Sequence, residues 1–184
     1  TKLWQQKGLP RIKMSVNVSA QQFRSPDFQA IVSQALADTG LKSKSLELEI
    51  TESMLMNNPD QTVEKLNAIR ELGCHLSIDD FGTGYSSLSY LTKFPITTLK
   101  IDRAFVYDIE TNKNMAEVAK AIISLSQGLE LEVVAEGAEN FEHVEFLKEN
   151  GCDMVQGYYF SRPLPADEFE KLLKVGSINH SANT

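Results

Sequence analysis

A chain of 184 residues and 20.5 kDa suits one domain with a sizeable core. Its 42% hydrophobic and 23% charged residues exclude a disordered or fibrous chain, and apolar runs such as 121–125 fall far short of the roughly 20 residues a membrane span needs. A formal net charge of −7 argues against non-specific binding to polymeric nucleic acid, so any phosphate-bearing ligand must be drawn by something other than bulk charge.

In chain order, short β-branched or Leu-rich runs at 13–18, 46–50, 74–78, 98–101, 131–135 and 152–155 predict buried parallel strands. Amphipathic patterns between them predict helices over 27–39, 60–72, 114–127, 141–150 and 166–175. Gly40, Gly73, Gly128 and Gly151 are expected to close the first four, and Pro165 to sit at the first position of the last. A helix-like Trp4-Gln5-Gln6 segment precedes the first strand, and the polar tail 177–184 is expected to fray, which leaves one domain over 1–176. The opening Thr1-Lys2-Leu3-Trp4 lacks the apolar core of a signal peptide. Cys74 and Cys152 lack CxxC spacing and read as reduced core thiols, so the expected compartment is the cytoplasm.

Such βα alternation fits either a doubly wound open sheet or a (β/α) barrel. No GxGxxG follows the first strand, which weakens the dinucleotide-binding open sheet. A full barrel takes about 250 residues and eight strands, so the economical reading is an α/β, TIM-like (β/α) barrel of six βα units with its first two strands missing.

Barrel chemistry gathers at the C-terminal ends of the strands. Reading those ends gives Asn17; Glu49 and Glu52; Asp79 and Asp80; Lys100 and Asp102; Glu136 and Glu139; and Gln156. Carboxylates crowded on one rim repel, and a divalent cation removes that penalty. The donors are all oxygen, which favours Mg²⁺ or Mn²⁺ over Zn²⁺. The adjacent Asp79-Asp80 pair is placed to bridge two ions, as in displacement at phosphorus, and Lys100 to donate to attacking water or a phosphate oxygen. Each residue also has a structural alternative. Asn17 fits a strand-end cap, Asp79-Asp80-Phe81-Gly82 an Asx-type turn, and Lys100 an ion pair with Asp102. The glycine- and hydroxyl-rich stretch 81–87 suits a mobile active-site loop or a strand-to-helix connection capped by Ser86 or Ser87. His75 reads as packed, and neither His143 on its helix nor His180 in the tail has metal-ligand spacing.

The segments Asn17-Val18-Ser19-Ala20, Glu47-Leu48-Glu49-Ile50-Thr51-Glu52-Ser53, Asp79-Asp80-Phe81-Gly82-Thr83-Gly84-Tyr85-Ser86-Ser87-Leu88, Leu99-Lys100-Ile101-Asp102, Ala135-Glu136-Gly137-Ala138-Glu139 and Gln156-Gly157-Tyr158 occur in this order. Together they closely resemble the EAL domain family, bacterial phosphodiesterases of cyclic di-GMP. The resemblance runs from about Asn17 to Pro165, and the DDFGTGYSSL block is its most specific part. It implies hydrolysis of cyclic di-GMP to linear pGpG by a two-metal mechanism with Mg²⁺ or Mn²⁺. Asn17, Glu49, Asp79, Asp80 and Glu136 correspond to metal ligands. Lys100 matches the lysine that orients the hydrolytic water, and Glu136 has also been assigned as the base. Glu52 resembles the anchor of the loop after Asp79-Asp80, while Asp102, Glu139 and Gln156 fall at substrate or supporting positions.

Two departures qualify the match. The Glu-Ala-Leu motif that names the family, with its metal-binding glutamate and a nearby substrate arginine, is absent; the resemblance implies a chain lacking that ligand and weak or inactive by itself. Ala138 stands where valine or isoleucine is common, a change expected to be tolerated. The family also implies an upstream sensor or GGDEF module and a homodimer formed near 79–91. Two alternatives stay open: a cyclic di-GMP receptor without turnover, and a Mg²⁺-dependent enolising lyase with Lys100 as base.

Overall fold

A computed structural model describes residues 1–84 and 88–176. Six strands, β1 Met14–Asn17, β2 Leu46–Thr51, β3 His75–Phe81, β4 Thr98–Ile101, β5 Glu132–Ala135 and β6 Met154–Val155, form one all-parallel sheet in strict chain order. The sheet curls into a half-barrel, and the helices Phe28–Thr39, Pro59–Glu71, Lys113–Gly128, Phe141–Glu149 and Ala166–Val175 connect or follow its strands. Among the described residues no helix is long and apolar enough to cross a membrane.

The period-2 geometry of a strand sorts the residues onto two faces. Leu48, Ile50, Leu76, Ile78, Leu99, Ile101, Val133 and Ala135 join one buried apolar cluster with helix residues such as Leu66, Ile69, Ile123 and Leu147. The alternate positions carry Glu47, Glu49, Ser77, Asp79, Thr98 and Lys100, all buried although polar or charged. The central strands β2–β5 are therefore buried on both faces, with the polar positions turned to the concave side, while the edge strands β1 and β6 are largely exposed.

Helix boundaries lie within a residue or two of the expected ones. Gly40, Gly73 and Gly151 take left-handed backbone, as expected of helix-ending glycines, but Gly128 is the last helical residue and the left-handed turn falls on Glu130 (φ 57°). Pro165 caps its helix from outside, and Pro59 holds a first helical position instead. β3 runs three residues past the expected Ile78, through Asp79 and Asp80 to Phe81. Its pairing with β4 shifts register between Ile78 and Phe81, and Asp80 takes φ 55° there. Among the described residues five short α-helices, Lys2–Gln6, Ala20–Arg24, Glu52–Leu55, Leu88–Leu91 and Arg103–Val106, are too brief for a periodic signal; the first contains the helix-like Trp4 segment. Both cysteines are free; Cys74 is buried and Cys152 half-buried, and burial pushes the Cys152 thiol up to about 11. The expected cap at Ser86 or Ser87 and the tail 177–184 lie outside the described residues.

At the N-terminal end of the concave face, Glu47 accepts hydrogen bonds from Lys13 at 2.8 Å, Ser15 at 2.9 Å and Thr98 at 2.8 Å. Lys13 also pairs with Glu132 at 3.1 Å. Burial pushes the Glu47 carboxyl upward, but those donors outweigh it and hold the group below its ordinary value. A depressed carboxyl contributes stability above its unfolded pKa, about 4.3, and loses it as pH falls through the lower folded value. Glu47→Gln should cost about 1.5–3 kcal/mol at pH 7, the range for hydrogen bonds to a charged group. Urea unfolding at pH 7 and pH 3.5 should show this deficit shrinking on acidification.

Candidate active site

The C-terminal end of the same concave face is organised by one ammonium group. Lys100 Nζ lies 2.5 Å from Glu136 Oε1, 2.8 Å from Glu49 Oε1 and 3.1 Å from Asp79 Oδ1. Parallel pairing explains the convergence, because β2, β3, β4 and β5 are consecutive neighbours that place these ends side by side. Lys100 is 5% exposed. Burial opposes its charge, yet the hydrogen bonds and charges of Glu136 and Glu49 prevail and hold the amine well above its usual pKa. Glu136 shifts upward: burial and the nearby Asp79 and Glu49 charges outweigh the opposing pull of Lys100. Asp80 is also raised, by burial, by the charge of Asp79 and by a side-chain hydrogen bond with Asp102. Asp102 caps the helix Arg103–Val106 by accepting from Ala104 N at 2.7 Å.

Asn17 stands opposite Glu49 in the β1–β2 register at the exposed edge of the sheet. Glu52, 2% exposed, accepts from Gly82 N at 2.8 Å and Gly84 N at 3.4 Å through Oε2. A Cβ on Gly84 would lie 2.7 Å from Glu52 Oε1, so the glycine permits that approach. Glu136, Glu139 and Gln156 line a cleft of about 150 Å³ with Arg103, Gly137, Gly157 and Tyr158. Arg103 and Tyr158 escape the strand-end reading because they lie beyond the strand ends, next to Asp102 and two residues after Gln156. Arg162 stacks on the Tyr158 ring at 4.7 Å and makes it the wall of a larger apolar groove with Leu164, Phe169 and Leu172.

The donor chemistry fits hard divalent cations, since every grouped ligand is an oxygen. Asp79 Oδ1 supports the fit: it is buried near Lys100 yet makes no hydrogen bond of acceptable geometry. Glu52 Oε1 and Ser77 Oγ are buried without partners as well. Among the described residues no three His, Cys, Asp or Glu side chains stand ready-arranged to hold a metal ion. The ammonium of Lys100 occupies the middle of the acid group, so metal binding requires the carboxylates to share or exchange that contact.

A family model described as the EAL domain matches residues 1–163. The chain belongs to the EAL domain family. It is 48% identical over 167 residues to "Cyclic di-GMP phosphodiesterase NbdA" of Pseudomonas aeruginosa, covering 91% of this chain and 21% of that protein. The solved structure described as "PaMucR Phosphodiesterase, c-di-GMP complex" superposes with a TM-score of 0.89 at 39% identity, covering 91% of this chain and 68% of that one. The manganese and cyclic di-GMP complex of BlrP1 from Klebsiella pneumoniae gives a TM-score of 0.79 at 32% identity, covering 88% and 42%. The chain thus spans about a fifth of the length of such curated relatives. These neighbours carry the TIM-like barrel fold, of which the six parallel strands form the curled half.

The loop that leaves β5 rests directly on the segment after β6. Ala138 N donates to Gln156 O at 3.2 Å and Tyr159 N donates to Ala138 O at 3.0 Å. A Cβ on Gly157 would lie 2.0 Å from Ala138 O and 2.4 Å from its N, both immovable backbone atoms. Gly157→Ala should therefore cost about 3 kcal/mol or more, the upper range for overpacking. Urea unfolding measures the cost; a change under 1 kcal/mol would contradict the contact.

Proposed function

We propose that this EAL domain takes part in the hydrolysis of one phosphodiester bond of cyclic di-GMP, giving linear pGpG. The observation that carries the reading is the convergence of Glu49, Asp79 and Glu136 on Lys100 at the C-terminal rim, in a chain whose relatives include named cyclic di-GMP phosphodiesterases. Asn17, Glu49, Asp79, Asp80 and Glu136 would hold Mg²⁺ or Mn²⁺, in our reading two ions. When bound, such ions supply Lewis acidity toward water and a phosphoryl oxygen and reverse the negative field of the rim.

The chain's own residues divide the remaining work. Water attacks phosphorus, the bond from phosphorus to the leaving sugar oxygen breaks, and that oxygen takes up a proton. Glu136, with its raised carboxyl, is suited to accept the proton of the attacking water. Lys100 keeps its proton and donates to the water or to a phosphoryl oxygen, which orients the nucleophile and offsets developing charge. Glu52 holds the backbone of Gly82 and Gly84 where the loop after β3 begins. Glu139, Gln156, Arg103 and Tyr158 form the neighbouring wall, where cation and ring suit a phosphate and a base. The phosphodiesterase reading is favoured over the lyase alternative, because named relatives are cyclic di-GMP phosphodiesterases.

Turnover is tested on the full-length protein with cyclic di-GMP, with and without Mg²⁺ or Mn²⁺, by chromatographic separation of pGpG. Glu49→Ala and Asp79→Ala should each lower metal-dependent hydrolysis by about 100-fold or more, since even outer partners of a metal site are worth about 10–100-fold. Circular dichroism should show both variants folded; turnover retained in either refutes the ligand assignment. Binding without turnover in the unsubstituted protein would instead establish the receptor reading. Glu52→Ala should slow turnover while leaving Mn²⁺ affinity near the parent value and speeding amide exchange at Gly82 and Gly84. A loss of Mn²⁺ affinity matching that of Asp79→Ala would make Glu52 a ligand rather than an anchor.

A further inference from the structure

One buried ionisable side chain has no part in the chemistry so far: His143, 2% exposed on the helix Phe141–Glu149. It faces the loop that leaves β5 and carries both Glu136 and Glu139. Its Nδ1 accepts a long hydrogen bond from Glu139 N at 3.4 Å, which assigns the ring proton to Nε2. Nε2 lies 3.0 Å from Glu110 Oε1, and the same oxygen accepts from Asn140 Nδ2 at 2.6 Å. Asn140 Oδ1 in turn accepts from His143 N at 2.8 Å and caps the helix. Glu110, Asn140 and His143 thus close a ring around the far end of the loop.

The near end is fixed by Glu136 N, which donates to Ile101 O at 3.1 Å. Between the two ends Gly137 takes φ 78°, and Ala138 rests on Gln156 and Tyr159. The backbone at Gly137 is the least restrained in its intrinsic preferences. The direction in which Glu136 leaves β5 therefore depends on how firmly residues 138–140 are held. A histidine used only as filling would not need an acceptor for the Glu139 amide on one nitrogen and a carboxylate partner on the other.

We propose that His143, buttressed by Glu110 and Asn140, is a positioning residue that sets Glu136 against the reacting water by anchoring the Glu139 amide. The proposal rests on the phosphodiesterase reading for its reaction, though not for its loop geometry. Glutamine can replace both functions of the ring, accepting through Oε1 and donating through Nε2, whereas phenylalanine fills the space and does neither.

The test compares the full-length protein with its His143→Gln and His143→Phe variants, by steady-state hydrolysis of cyclic di-GMP at saturating Mn²⁺ and by amide exchange over 136–140. His143→Phe should lower kcat by tenfold up to about 100-fold, the cost of roughly 1 Å of misplacement, with KM changed by less than about threefold. Exchange at Glu139 should quicken, and His143→Gln should restore most of both. Equal kcat in the parent and His143→Phe, or equal slowing by Phe and Gln, would overturn the proposal. Should His143→Phe fail to fold, Glu110→Ala, which removes the exposed partner, should show the same kcat loss and faster exchange; parent-like values overturn it. A parent without hydrolysis would sink the functional reading, and with it the effect of His143 on turnover. Exchange would then still show whether the anchor exists.

Discussion

The site depends on a single buried cation held by three carboxylates. Glu49, Asp79 and Glu136 could not sit together in the concave face of the sheet without a positive partner, because desolvation and mutual repulsion would neutralise them. Lys100 supplies that partner from the strand between β3 and β5, so the order of the strands and the electrostatics of the rim are one constraint. The unbonded Asp79 Oδ1 shows that one ammonium does not satisfy the whole acid group. Residual acceptor capacity of this kind is what a hard dication takes up.

Around this centre the backbone is held by approaches that only small residues allow. Gly157 lies against the peptide of Ala138, Gly137 against Arg103, and Gly84 against the Glu52 carboxylate. These contacts join the loops after β3, β5 and β6 to one another or to the rim. The loop of β5 is fixed three times within five residues, by Ile101, by Gln156 and by the ring of Glu110, Asn140 and His143. Ala138, with no exposed surface, presents its backbone to Gly157.

Much of this was legible in the residues. The six strands and the five longer helices follow from apolar runs and helix-ending glycines, and the carboxylates fall where βα architecture collects them. The alternation in Leu46-Glu47-Leu48-Glu49-Ile50 and in Thr98-Leu99-Lys100-Ile101 also marks a polar and an apolar face, a sign that the reading of these runs as buried strands does not use. Other features left no local trace. The extension of β3 through Asp80 depends on a register shift against β4, a tertiary event. Four-residue helices such as Arg103–Val106 are set by capping and packing, not by periodicity. Arg103 and Tyr158 gain their place only once the turns after β4 and β6 are folded. His143 looked inert because its partners, Glu110 and the Glu139 amide, are brought to it by two different loops.

The alternation along each strand has an evolutionary consequence. Neighbouring codons address separate properties: one residue tunes the field felt by a ligand, and the next tunes cohesion with the surrounding helices. Selection can therefore adjust the charge of the C-terminal rim by steps that leave the apolar layer untouched, and can tune cohesion with the helices by steps that leave that charge unchanged. A scaffold divided in this way tolerates drift in one property while the other is being refined.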